Sequence, residues 1–592
     1  MYKLLEGIAA SPGVGIGRAF IYNKEMPHIS ERKIPASRVE AEVDRFRNTL
    51  RQAGDEIRRT RRMVEMEHGT ELAQIFDAQL LMLEDSQVLR ETEALIRERR
   101  YSAQRAFSQS LEKLKNTFED IKNEYLRARL SDVVDIESQV LIRLGGGELQ
   151  ALHAVRANTV VVIHELLPSE SVQLAGRLVK GLVTEVGGAT SHASIITRSM
   201  LLPAVVGTQD GCSQIKSGDL VIVDGTQGVA HVNPEPEVVR FYRNELRRQL
   251  KRERDLSSRR ELPAITRDDH EMVLMANIDV PNEVQLAIDN GARGVGMYRT
   301  EFLYQGYRLP NEEEQFAAYS EIVEALAPNP VIIRTIDLGG DKLAHALDVV
   351  PEANPFLGWR GIRICLDTPD LFRAQLRALL RAGVHGDVQI LFPMISGFDE
   401  LQRARAALEA VKYELRSEGL PFQEDVKVGI MIEVPSVALM ADCFSNEVDF
   451  MSLGTNDLTQ YALAVDRGTA RVADLYDPFH PAVLKLMKMV ADTGTARQTP
   501  VSICGELAGD PRAVLLLVGL GIEILSMSPG LIPEVKEVIR AGSRTEAERI
   551  AGDCLEMESG KKVRKYLHEA MGKYLEDVPF SKSLDSDDPE FS

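Results

Sequence analysis

From Leu262 to about residue 570 the chain repeats one pattern eight times, an apolar β-prone run followed by a stretch with helical spacing. The runs are EMVLMANI, GVGMYRTE, VIIRTIDLGG, VQILFPMI, VKVGIMIEVP, FMSLGTNDL, PVSICGE and ILSMSPG. Strands buried on both faces read as nearly continuous apolar runs, and parallel neighbours need a crossover, usually a helix. Eight such units in about 310 residues predict a TIM (β/α)8 barrel over residues 262–575. In that architecture chemistry sits at the carboxyl ends of the strands, so those ends are where function is to be sought.

The ends are rich in charge. The second strand ends at Arg299-Thr-Glu; the third carries Arg334 near its middle and ends at Asp337, with Lys342 just beyond. The fifth ends at Glu433, the sixth at Asn456-Asp457 and the seventh at Cys504-Gly-Glu506. Arg360 follows the third strand and Arg467 the sixth. Several arginines together suit an anion with fixed oxygens, such as a carboxylate plus a phosphate. Glu433 and Asp457 are hard oxygen ligands and fit Mg²⁺ better than zinc. Any one of these residues alone would read as a surface ion pair; their shared register at strand ends argues for a site. Cys504 has two readings: a small buried packing residue, or a thiol that protonates a carbanion-like carbon.

Ahead of the barrel the composition changes twice. Residues 37–144 lack proline, are poor in glycine, and place Phe76, Gln79, Leu80 and Leu83 at helical spacing, which predicts a bundle of helices. After Gly145-Gly-Gly, short β-rich runs alternate with helical ones, as in NTVVVIHE, GLVTEVGG and DLVIVDG, which predicts an α/β domain. The opening strands are expected to join it, making the bundle an insertion. Residues 235–261 are a highly charged helix, read as a solvated connector. The α/β part contains GGATSHASIITR, with His192 at the start of a predicted helix. Unpaired N–H groups and the helix dipole favour an anion there, so His192 could carry a phosphoryl group, oriented by Thr190, Ser191 and Ser171. The alternative is an ordinary helix-cap histidine.

With 89 acidic and 70 basic side chains the net charge is −19, which speaks against nucleic-acid binding and suits a basic protein partner. Five cysteines without a CxxC make neither a disulfide framework nor a zinc site. No signal peptide and no apolar run of about 18 residues is apparent, so no membrane role and a cytoplasmic location are expected.

The motifs GGATSHASIITRS, GMYRTEFLY, IRTIDLGGDK, NPFLGWRGIRI, IEVPS, SLGTNDLTQYALAVDR and ICGELAGD together resemble enzyme I of the bacterial sugar phosphotransferase system, the phosphoenolpyruvate–protein phosphotransferases. The resemblance runs from about residue 3 to about 570 in order and spacing. It implies a swivelling phosphohistidine α/β domain (1–30 and 146–234) interrupted by an inserted helical HPr-binding domain (31–145). A linker helix (235–261) and the phosphoenolpyruvate-binding barrel (262–575) would follow, while the polar, acidic composition of residues 576–592 predicts a disordered tail. By the same resemblance, phosphoenolpyruvate binds with Mg²⁺, its phosphoryl group moves to His192 and then to a histidine of the carrier HPr. Arg299, Arg334 and Arg467 would bind the substrate, with Arg360 and Asn456 close by. Glu433 and Asp457 would hold the metal, and Cys504 would be the acid/base. Thr190, Ser171 and Lys342 are supporting candidates. Acidic Glu67, Glu71, Asp77, Glu84 and Asp85 are expected to meet a basic HPr surface, and the barrel to form a homodimer. Alternatives are a paralogue serving a regulatory HPr-like protein, a dikinase or synthase relative, and a non-catalytic scaffold. The chain departs from the pattern at Ala189, where arginine is frequent, and in its acidic tail.

Overall fold

Each of the eight apolar runs holds a parallel strand, and in the computed structural model the eight close on themselves. Described residues run from Tyr2 to Leu575, with gaps at 23–28, 30–32, 69–75, 77–78, 81, 84, 120–129, 146–157, 167–169, 171–178, 188–196, 198–201, 282, 305–308, 340–353, 355–356, 468 and 470. They fall into two units, residues 1–250 and 251–592.

In the first unit one sheet holds eight strands: β1 Lys3–Glu6, β2 Ile8–Ser11, β3 Val14–Tyr22, β4 Thr159–Ile163, β5 Val179–Thr184, β6 Ala204–Val206, β7 Leu220–Asp224 and β8 Val229–Val232. Their order is β1-β8-β7-β3-β4-β5-β6-β2, with β3, β4, β5 and β6 mutually parallel. β4 is buried along its whole length, as a central parallel strand should be. The chain leaves this sheet after β3 and returns at β4. Between them lie the helices α1 Val39–His68, α2 Ser86–Arg99, α3 Ala103–Glu119 and α4 Leu130–Leu144. In α4, Val133, Ile136, Val140, Leu141 and Leu144 form one apolar stripe, buried with Phe46, Ile96 and Phe107.

α1 follows a single 3-10 turn, Ala36–Arg38, that opens directly after Pro35. Asp85 caps α2, its carboxylate accepting the N–H groups of Gln87 (2.7 Å) and Val88 (3.3 Å). After β8 comes α5, Pro236–Arg259, and the boundary between the two units falls inside it. A chain of hydrogen bonds ties its first turns to the sheet. The Tyr2 hydroxyl meets His231 Nδ1 (2.9 Å), His231 Nε2 meets the Tyr242 hydroxyl (3.1 Å), and Tyr242 donates to Asp224 Oδ2 (3.0 Å).

In the second unit a two-residue strand, β9 Ala264–Ile265, pairs antiparallel with the first barrel strand. The barrel strands are β10 Glu271–Ile278, β11 Val295–Tyr298, β12 Val331–Arg334, β13 Val388–Phe392, β14 Lys427–Ile432, β15 Phe450–Leu453, β16 Val501–Ile503 and β17 Ile524–Met527. Every neighbouring pair is parallel, and β17 pairs back to β10 with Ala276 opposite Met527. The interior is filled by Met297, Ile332, Leu391, Met431, Phe450 and Cys504. It is therefore a packed core rather than a pore.

One strand differs from expectation. β12 ends at Arg334 instead of running on to Asp337. Thr335 still donates to the Leu391 carbonyl (3.0 Å), but the two N–H groups after it are taken by side chains: Ile336 donates to Gln375 Oε1 (3.1 Å) and Asp337 to Glu301 Oε1 (3.0 Å). The backbone thus leaves the ladder and turns Asp337 toward the carboxyl-end mouth. Among the described residues no helix is long and apolar enough to cross a membrane.

Candidate active site at the barrel mouth

The mouth is built in two tiers. The lower tier is a buried charge network. Arg334, the last residue of β12, meets Glu301 Oε1 (3.0 Å) and Asp337 Oδ2 (3.0 Å). Arg360 forks onto Asp337, Nε to Oδ1 at 3.2 Å and Nη2 to Oδ2 at 2.8 Å, and reaches Asp457 Oδ2 at 3.1 Å. Its Nη1 donates to the Tyr461 hydroxyl at 3.2 Å. Burial works against both guanidinium charges, but the surrounding carboxylates outweigh it and hold both arginines firmly protonated.

Glu433 follows β14 and is buried. Its Oε1 accepts the Met394 N–H at 2.6 Å. Met394 sits in the left-handed region at φ 58, a conformation a side chain normally avoids, and this aims its amide at the carboxylate. Gly361, also at positive φ, is needed beside it. A Cβ there would stand 2.9 Å from Met394 Cβ and 3.1 Å from Asp337 Oδ1.

Asp337, Glu433 and Asp457 each offer an oxygen, and the three oxygens lie within 4.8 Å of one another. Burial, and then the charges of Asp337 and Asp457, push the Glu433 carboxyl above its usual range. Three converging carboxylates with one member reluctant to ionise are the arrangement a hard cation relieves. The donors are all oxygen, which fits a hard divalent cation and not a thiolate-loving one. Asp337 is the member that sequence reasoning placed at a strand end without a role. Its signal was present, an acid three residues after a strand-end arginine.

The upper tier is more exposed. Arg299, just after β11, pairs with Asp279 at 2.6 Å. Arg467 approaches Glu506 Oε1 at 3.4 Å, and Asn456 Nδ2 donates to the same oxygen at 3.0 Å. Cys504 lies beneath, following β16 and buried at the top of the barrel core. Its sulfur accepts from Ser452 Oγ (3.2 Å) and donates to the Leu453 carbonyl (3.6 Å). Burial raises its pKa, and the Ser452 hydroxyl and Arg334 offset only part of that, so the group is a neutral thiol holding its proton.

Residues 253–544 match the family described as PEP-utilising enzyme, PEP-binding domain; 6–129 match its N-terminal domain and 155–228 its mobile domain. A phosphoenolpyruvate-protein phosphotransferase of Staphylococcus carnosus is 40% identical over 564 residues, covering 95% of this chain and 98% of its own. The protein of that name from Priestia megaterium is 40% identical over 568 residues, covering 96% and 99%. The chain belongs to the phosphoenolpyruvate–protein phosphotransferase family.

The phosphotransferase is thus an enzyme, with the multidomain α/β organisation and barrel expected of it. Its barrel mouth brings together Arg299, Arg334, Arg360, Glu433, Asn456, Asp457, Arg467 and Cys504. His192, Thr190, Ser171 and Lys342 lie outside the described residues of this phosphotransferase, as do Glu71, Asp77, Glu84, the side chain of Glu67 and the tail 576–592.

Proposed function

We propose that this enzyme moves the phosphoryl group of phosphoenolpyruvate onto His192 and from there to a histidine of an HPr-type carrier protein. The observation that carries the reading is the two-tier mouth, a fixed arginine–carboxylate floor beneath an exposed arginine rim. Arg334 and Arg360 offer charge at fixed positions, and Arg299, Arg467 and Asn456 can close on a carboxylate and a phosphate. Mg²⁺, held by Glu433 and Asp457 with Asp337 beside them, would neutralise oxygens of the transferring group.

A ring nitrogen of His192 attacks phosphorus, and the bond to the enol oxygen breaks with its electron pair going to that oxygen. The methylene carbon of the resulting enolate takes the Cys504 thiol proton, giving pyruvate, and the thiolate regains its proton from solvent. Near in-line contact of nitrogen and phosphorus requires the His192-bearing domain to approach the barrel and then leave it.

On this reading residues 1–30 and 146–234 are the phosphohistidine domain, 31–145 the HPr-docking insertion, 235–261 the linker and 262–575 the substrate barrel. Asp85 is engaged as a helix cap, which weakens its part in docking HPr. A second copy is the proposed occupant of an apolar patch on the barrel. Leu439 and Met489 are exposed on helices that pack together, Met440 is exposed in the turn after the first of them, and Leu475 in the segment between them. A cytoplasmic location goes with this reading.

The deciding experiment is incubation with labelled phosphoenolpyruvate and Mg²⁺, with and without HPr, for the natural enzyme and His192→Ala. Acid-labile label on the natural enzyme alone, passing to HPr, supports the reading. Absence of label overturns it.

A further inference from the structure

We infer that Asp279 sets the enzyme's affinity for its anionic substrate by competing with that substrate for Arg299. The inference rests on the reading that Arg299 binds phosphoenolpyruvate. Asp279 directly follows β10 and Arg299 directly follows β11, the neighbouring strand. The two strands are in register there, Ile278 opposite Tyr298, and the Arg299 N–H donates to the Ile278 carbonyl at 3.0 Å. The backbones therefore hold the two side chains side by side at the mouth. Arg299 Nη1 donates to Asp279 Oδ1 at 2.6 Å, a short charge-assisted bond.

Asp279 is itself fixed. Glu283 Oε2 accepts its N–H at 2.8 Å, which pins the backbone where the acid projects. Glu283 is half-buried; burial, and less strongly the Asp279 charge, push its carboxyl up, and the Asp279 and Val280 N–H groups and Arg299 draw it down only in part.

The setting differs from that of the deeper arginines. Arg334 and Arg360 each bridge two acids, with about a tenth of the side chain exposed. Arg299 is 34% exposed and Asp279 56%. Water reaches this pair, so exchanging the carboxylate for a substrate oxyanion is inexpensive. Asp279 thus does two things. It orients the guanidinium while the site is empty, and its negative charge opposes a second anion on the same arginine. Such a residue keeps affinity down without touching the reacting atoms, and is a positioning residue.

Removing the charge while keeping an oxygen separates these effects. Asp279→Asn retains an acceptor for Arg299 and deletes the competing charge. The expected result is a fall in KM for phosphoenolpyruvate of about threefold to tenfold with kcat changed less than twofold, the size expected for one like charge near a partly exposed site. Asp279→Glu should bring KM back toward the natural value. Glu271→Gln removes the same charge from the opposite end of β10, where Glu271 pairs with Arg293 at 2.8 Å. It should leave KM unchanged.

An unchanged or raised KM in Asp279→Asn overturns the inference, as does an equal fall in Glu271→Gln, which would make the effect one of net charge. These outcomes differ from failure of the underlying reading, in which the natural enzyme itself takes no label from phosphoenolpyruvate.

Discussion

One oxygen of Asp337 is shared by two arginines, 3.0 Å from Arg334 Nη1 and 2.8 Å from Arg360 Nη2. Three charges held this way leave little freedom to any of them. Arg334 and Arg360 are presented to the mouth without a conformational search, and Asp337 is fixed in place beside Glu433 and Asp457. Pre-set charge of this kind stabilises a developing anion without reorganisation at the moment of reaction.

Arg360→Lys keeps the charge and loses the planar fork that spans Asp337, Asp457 and Tyr461. We expect kcat/KM to fall by about 10²–10³ with the barrel still folded. Steady-state kinetics beside a far-ultraviolet circular dichroism melt check both halves of that statement.

Cys504→Ala removes the proton donor and fills its place with a smaller apolar group. Turnover should fall by about 10²–10⁴, while the affinity for phosphoenolpyruvate stays near that of the natural enzyme. Because the thiol is held protonated by burial, the natural rate should not decline through the ordinary cysteine range around pH 8.5 on this residue's account. A pH–rate profile to pH 9.5 tests this.

Chelation should stop phosphorylation of the enzyme, and added Mg²⁺ should restore it. Glu433→Gln should weaken the half-saturating Mg²⁺ concentration by at least about tenfold, since a ligand is lost from a site of three carboxylates. Asp337→Asn carries a different signature. It should weaken Mg²⁺ as well and also lower the melting temperature, because two buried arginines lose a partner.

His231 gives a pH-dependent stability. Burial lowers its pKa below the ordinary 6.5, against a smaller opposing pull from Asp224. A depressed pKa means the folded form prefers the neutral ring. The stability tied to it is complete above about pH 6.5 and is lost as pH falls through the folded value. The melting temperature of the first unit should drop between pH 7.5 and pH 5.5, and in His231→Gln that drop should be smaller by on the order of a degree or two. An equal drop in both would show that this ring does not titrate as described.

The barrel was legible because its strands are buried on both faces and therefore unbroken in hydrophobicity, as in the VQILF of β13, buried at every position. The strand-end rule then placed Arg299, Glu433 and Cys504 without any view of side-chain contacts. Where β12 stops was not legible, since its end is decided by Glu301, from the preceding barrel unit, and Gln375, on a helix 39 residues beyond Ile336, capturing backbone N–H groups. The partners of Asp337 were hidden for the same reason. The sequence shows an acid near a strand end, but only the fold shows that Arg360, 23 residues on, returns to it. Asp279 was equally silent, because nothing in its neighbours on the chain announces an arginine one strand away.

The interruption of the first sheet has a consequence for synthesis. Lys3 pairs with Val232 and Arg18 with Thr159. At ribosomal speed the first strand emerges roughly 10–50 s before its partner exists. The helices α1 to α4, with an apolar core of their own around Phe46 and Phe107, can collapse in that interval. The nascent chain thus carries a formed bundle behind three unpaired strands, β1, β2 and β3. A stall between Leu144 and Thr159 would release a species with bare strand edges, the form most exposed to aggregation or to capture by chaperones.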